Sequence, residues 1–196
     1  MSDTRNETLT LAAGDVVAYA AVLGTTAPTA FETLASPWIC LGWIETSGYM
    51  FKLDQALKEV DAAGTLDPIR TVMGKAGKSF QATFLEALNP MVQALWDDVP
   101  LATTLPTSGT IASYTYPATP TDNRYCFVFD TFDGDAKLRF FAPNGKVTAR
   151  GDFQPQQGDV TPLQMTVTLY PDQIGSARSA LKKYVDYGSR VLTAFE

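Results

Sequence analysis

The chain has 196 residues, with 15 basic and 21 acidic side chains, a net charge of −6 and no histidine. That length suits one domain with a sizeable core, and the acidic balance argues against a general grip on nucleic acid, which rests on basic side chains displacing counterions. Without histidine there is no Ser-His-Asp or Cys-His nucleophile pair, no histidine metal ligand and no imidazole acid–base group near neutral pH.

Charged residues make up 18% of the chain while apolar residues stand at 45%, against about 25% charged in ordinary soluble proteins. Self-association is the expected way to hide such a surface. Residues 1–7 (MSDTRNE) are polar and mixed in charge, without the basic start and apolar run of an export signal, so a soluble protein made in the cytoplasm is expected. Short strands are expected over 16–22, 38–45, 49–53, 69–73 and 78–86, each bounded by Gly, Pro or Ser. The Thr/Ala/Pro loop over 24–37 is long for a compact domain, which suggests a use in contact.

One helix stands out. Asn89 can cap it, Pro90 suits its first position, and Met91, Val92, Leu95 and Trp96 share one face, with an end near Asp98. Residues 55–63 and 177–185 combine good helix formers with helical apolar spacing, and periodicity alone leaves both open between helix and strand. The uncharged stretch 99–121 carries Pro100, Pro106, Pro117 and Pro120 and so cannot cross a bilayer as a helix.

The second half suggests a four-stranded antiparallel meander: 124–132, an Asp133-Gly134 turn, 136–142, an Asn144-Gly145 turn, 146–153, a polar loop over 154–159, and 163–170. Asp-Gly and Asn-Gly are favoured centres of tight hairpins. In the last strand Leu163, Met165, Val167 and Leu169 alternate with Gln164, Thr166 and Thr168, which predicts one buried face.

Several tempting sites fail. Gly77-Lys78-Ser79 would close a phosphate loop only with a glycine where Val72 stands, and a strand rather than a helix follows it. Asp130, Asp133 and Asp135 lack the spacing of a calcium loop and suit a hairpin turn better. Nothing selects two of the 21 carboxylates as a glycosidase pair. Cys40 and Cys126 lie far apart in apolar runs, which suggests two buried thiols rather than a disulfide framework. The 11 Phe, 8 Tyr and 3 Trp, lacking a basic stripe, suggest core and contact surface rather than a base-stacking platform. No catalytic residue, metal or cofactor is expected, and the chain is not expected to be an enzyme.

Three segments in order carry a resemblance: 27–34 (APTAFETL) with 38–44 (WICLGWI) and Ser47-Gly48; 60–72 (VDAAGTLDPIRTV) with a strand and the Asn89-led helix behind it; and 165–172 (MTVTLYPD). Together they resemble the major tail tube protein of long-tailed, siphovirus-type bacteriophages, especially those infecting actinobacteria. The departures are the stretch 99–121 and the tail after Asp172.

The resemblance implies a mostly β (α+β) fold, a tail-tube-type β-sandwich or small barrel with one flanking α-helix at about residues 90–98 and long loops. It implies a single tube domain over 1–196, with an N-terminal arm (1–14), an extended loop (99–121) and a C-terminal extension (173–196). In that family the segment corresponding to 55–63 is extended, so strand is expected there. Six copies would form a ring, and rings would stack into a virion tail tube through which DNA passes transiently and without sequence preference. The implied partners are copies of the chain itself and the tail terminator, tail tip and tape measure proteins, with synthesis in the host cytoplasm and no membrane.

Within that picture Glu45, Asp54, Glu59 and Asp61 are the candidate carboxylates of the bore, since a negative wall would keep phosphates from sticking. Phe31 on the 24–37 loop, Trp38 at the start of the strand that follows it, and Arg70, Lys75 and Lys78 on what is expected to be a basic loop over 70–78, are the candidate inter-subunit contacts. The rival class is a β-sandwich binding module that recognises carbohydrate or protein.

Overall fold

The computed structural model describes residues 9–61, 63, 67–100, 111, 115–116, 118–119 and 121–190. In chain order they form β1 (Asp15–Val22), β2 (Ile39–Cys40), β3 (Ile44–Val60), β4 (Arg70–Phe84), α1 (Pro90–Asp97), β5 (Tyr125–Asp133), β6 (Ala136–Arg150), β7 (Leu163–Leu169), β8 (Asp172–Ile174), β9 (Ala177–Ser179) and β10 (Lys182–Asp186). The fold is therefore mostly β with one helix. The main sheet is antiparallel in the order β2-β1-β5-β6-β7-β4-β3, with β10 added to β6, and β8-β9 form a separate small pair.

Strand β6 makes this sheet into a sandwich. Its first half pairs with β5 on one side and β10 on the other, while its second half pairs with β7. One layer is thus β2-β1-β5-β6-β10 and the other β6-β7-β4-β3. Between them lies an aromatic core in which Phe80 stacks on Phe129 at 4.2 Å and Tyr49, Phe51 and Phe140 close around the pair. Each such ring removes a large apolar area from water, and offset or edge contacts add to that burial.

The outer face of β5 is covered too. Cys126, Val128, Ala21 and Phe141 form a second cluster under Ala27, Leu34, Trp38 and Tyr184, so the 24–37 loop acts as a lid over this face. β5 is buried on both sides, and its run of aromatic and β-branched residues suits that position.

Helix α1 forms as its sequence predicts. The Asn89 side chain accepts the Met91 backbone N–H at 3.0 Å, Pro90 opens the helix, and Met91, Val92, Ala94 and Leu95 are buried. Asp98 adopts the left-handed conformation that ends it. β7 shows the predicted alternation, with Leu163, Met165, Val167 and Leu169 buried.

Four expectations are corrected. The Asn144-Gly145 turn does not exist: β6 runs unbroken through it, so the meander has three strands, not four. Gly145 is there for close approach, because a Cβ would meet the Phe127 ring at 2.7 Å and Val167 at 2.9 Å. The β5–β6 turn is centred on Gly134 and Asp135, closed by Asp133 paired with Ala136, with Gly134 at φ +61°. The stretch 70–78 is not a loop but part of β4, where a register shift against β3 absorbs one extra residue. The strand expected over 38–45 breaks after Cys40, since the Trp43 N–H is held by Glu86 rather than by a strand neighbour. Within 55–63, expected as strand from the resemblance, residues 55–60 are strand, and of the segment 177–185, open between helix and strand, 177–179 and 182–185 are strand too, because each is zipped to a neighbour, β4, β8 and β6 respectively.

Candidate assembly surfaces

The hairpin β3–β4 extends past the edge of the sandwich. From Lys52 to Val60 and from Arg70 to Gly77 every residue is exposed. Because opposed residues share a face, the pair Phe51–Phe80, which is part of the core, sets the sides of this ribbon. The same face continues outward through Leu53 opposite Lys78 and Leu57 opposite Met73. Leu57 and Met73 are 65% and 64% exposed. The apolar pattern of a core face thus runs on where the described residues provide no second layer.

β3 also ends the sheet order, so along its length its outer edge joins no ladder among the described residues. A long exposed edge strand is a template for pairing with another chain. No helix among the described residues is long and apolar enough to cross a membrane, and no cluster of His, Cys, Asp or Glu there could hold a metal ion.

The candidate bore carboxylates Glu45, Asp54 and Glu59 lie on β3, and Asp61 follows its end; all four are exposed. Asp54 bonds Lys52 at 3.1 Å. Alternation along β3 turns Asp54 and Glu59 to opposite faces of the ribbon. Of the candidate contacts, Arg70, Lys75 and Lys78 fall on β4 of this same ribbon rather than on a loop, with Arg70 and Lys75 fully on the protruding part. Phe31 and Trp38 lie elsewhere, on the lid: Phe31 packs edge-on against Tyr184, and Trp38 edge-on against Phe141.

At the other end of β4 lies an open groove of about 1060 Å³ beside α1. Leu88, 86% exposed, and Trp96 and Phe153, whose rings are 5.9 Å apart, supply much of its apolar wall. Glu86 and Asp97 supply its charge, and no cation lines it among the described residues. Tyr116 closes one side by donating its hydroxyl to Asp97 at 2.7 Å. Cys40 also lines this groove and is exposed, contrary to the expectation of two buried thiols; Cys126 is the buried one. The groove was not foreseen, because its walls come from separate stretches around residues 40, 85–97, 116, 153 and 163. The ribbon face was not foreseen either, although Phe51, Leu53 and Leu57 at odd positions are the signal that could have found it.

Among the described residues, then, the sandwich has no cluster of His, Cys, Asp or Glu that could hold a metal ion, an outer β3 edge that joins no ladder, and an apolar ribbon face that they leave uncovered. The chain belongs to the phage tail tube protein family, whose model matches residues 1–182. No curated protein sequence matches it. Membership makes it a structural component of a virion tail that assembles with other tail proteins into a tube.

Proposed function

We propose that the chain closes into hexameric rings, that the rings stack into the tube of a long-tailed phage, and that DNA passes through this tube at genome ejection. The single observation that carries the reading is the β3–β4 ribbon, exposed on both faces and along its outer edge. A heterologous contact that closes gives a ring, and one that repeats along an axis gives a filament. The open β3 edge suits the first, since strands from neighbouring copies can continue one sheet around a lumen.

Glu45, Asp54, Glu59 and Asp61 are the proposed source of an acidic bore. A bore lined by one face of the ribbon takes Asp54 or Glu59 from each copy, not both. In a chain of net −6 a negative wall repels phosphates, so DNA slides instead of sticking. Arg70, Lys75 and Lys78 are proposed to contact neighbouring copies, as are Phe31 and Trp38 through the lid they anchor. Tail terminator, tail tip and tape measure proteins are the proposed partners at the ends and inside, and the host cytoplasm the proposed place of synthesis. Electron microscopy of the concentrated purified chain tests the reading: sixfold rings or tubes of constant bore are expected, and a persistent monomer overturns it.

A further inference from the structure

We infer that the distal β3–β4 ribbon of one copy seats in the α1 groove of a second copy, so that copies join head to tail along the direction of β4. The inference rests on the tube reading and names the surfaces that join successive rings.

Three observations converge. The first is that the molecule carries two apolar surfaces that its own described residues leave uncovered, one protruding and one concave. Leu53, Leu57 and Met73 stand on the ribbon; Leu88, Trp96 and Phe153 line the groove. A projecting apolar patch and a complementary hollow elsewhere on the same molecule make a heterologous, self-propagating contact.

The second is their placement. β4 begins at Arg70 on the free end of the ribbon and ends at Phe84, and the next residues, Leu85 to Pro90, form a wall of the groove. Met73, paired with Leu57, stands twelve residues before Leu85, roughly 40 Å along the strand. Knob and hollow therefore sit at opposite ends of one rigid element, which excludes insertion into the same copy and gives translation along the strand from copy to copy.

The third is charge. The hairpin from Lys52 to Lys78 holds Lys52, Lys58, Arg70, Lys75 and Lys78 against Asp54, Glu59, Asp61 and Asp67, a net charge of +1. This is a locally basic arm in an acidic chain. The groove offers Glu86 and Asp97 with no cation among its described lining residues. On the apolar face itself Lys78 stands opposite Leu53, where it can meet those carboxylates, while Glu59, opposite Thr71, shares that face farther out along the ribbon. Docking by this face turns Asp54, not Glu59, toward the bore.

Cross-linking tests the contact with a thiol the chain already has. Cys40 lines the groove and is exposed, whereas Cys126 is buried. Assembled Met73→Cys protein treated with a short bis-maleimide should give a ladder of linked oligomers that vanishes when Cys40→Ser is added. Leu57→Glu and Leu88→Glu, both at exposed positions, should keep the wild-type melting temperature. Each should raise the concentration needed for stacking about tenfold or more, the loss expected for one buried leucine. Tubes that persist in both variants, with no link between positions 73 and 40, overturn the docking and leave the tube reading standing. A wild-type chain that never assembles overturns both.

Discussion

Arg139 meets Asp130 directly across the β5–β6 ladder in a two-pronged ion pair, Nε on Oδ1 and Nη2 on Oδ2, both at 2.7 Å, with the two side chains only 5% and 2% exposed. The remaining guanidinium nitrogen, Nη1, donates to the carbonyls of Ala30 (2.7 Å) and Glu32 (3.0 Å), and the Phe31 ring lies over the group. One arginine thus clamps the lid loop to the sheet, and its two bonds to Asp130 are sealed from water.

Breaking that clamp on one side is expected to be costly. Arg139→Met leaves a buried carboxylate without its partner and two carbonyls without a donor. The expected loss is about 3–5 kcal/mol, or about 6–20 °C in melting temperature for a chain of this size. Adding Asp130→Leu to Arg139→Met should recover part of it, because no stranded charge remains. Thermal melts of the single and double variants check both.

Gly145 should not tolerate even one methyl group. Its Cβ would overlap the Phe127 ring at 2.7 Å, and both neighbours are locked in the core. Gly145→Ala is expected to lose about 1–3 kcal/mol by overpacking. Pairing it with Phe127→Leu should return part of the loss, measured as the denaturant midpoint.

Acid should release the segments 10–14 and 186–190 before it melts the sandwich. Asp133 and Asp135 at the β5–β6 turn ionise below the ordinary carboxyl range. Asp133 is held down first by the Ala12 backbone N–H and then by Arg190, and Asp135 by Ser189. Arg190 also donates to the Thr10 carbonyl, tying both ends of the described chain to one turn. Depressed folded values mean that the latch contributes fully above about pH 4, the unfolded carboxyl value, and is lost as pH falls through the folded values. Amide exchange followed from pH 5 to pH 3 should show residues 10–14 and 186–190 losing protection before β5 and β7. Simultaneous loss throughout would refute the order.

Charge reversal on the ribbon should separate assembly from folding. Arg70→Glu and Lys75→Glu are changes at exposed positions, expected to alter stability by less than about 0.5 kcal/mol. Both should weaken tube formation, read by sedimentation, with unchanged melting curves. Wild-type tube yield from both would remove these residues from the contact.

The sequence by itself determined the class and most of the elements. The absence of histidine removed whole families of chemistry, the Asn89-Pro90 start specified the helix, and the alternation over 163–169 specified a half-buried strand. These features are legible because their causes are local: a missing imidazole, a capping side chain, a period of two. The resemblance of three ordered segments pointed to the family that the matched model identifies.

Tertiary structure decided what depended on distant neighbours. Asn144-Gly145 has the chemistry of a turn, yet Phe127 and Val167 need the space a glycine leaves, so the strand continues. Segment 177–185 has helical spacing, yet β10 finds backbone partners on β6, and hydrogen bonds already offered by a neighbouring strand outweigh a few tenths of a kcal/mol of propensity. Asp130 and Arg139, nine residues apart, became a buried pair because the turn between them set the register. The α1 groove could not be foreseen, because no single stretch of chain contains it; it exists where β2, the end of β4, the helix and the segment before β7 converge.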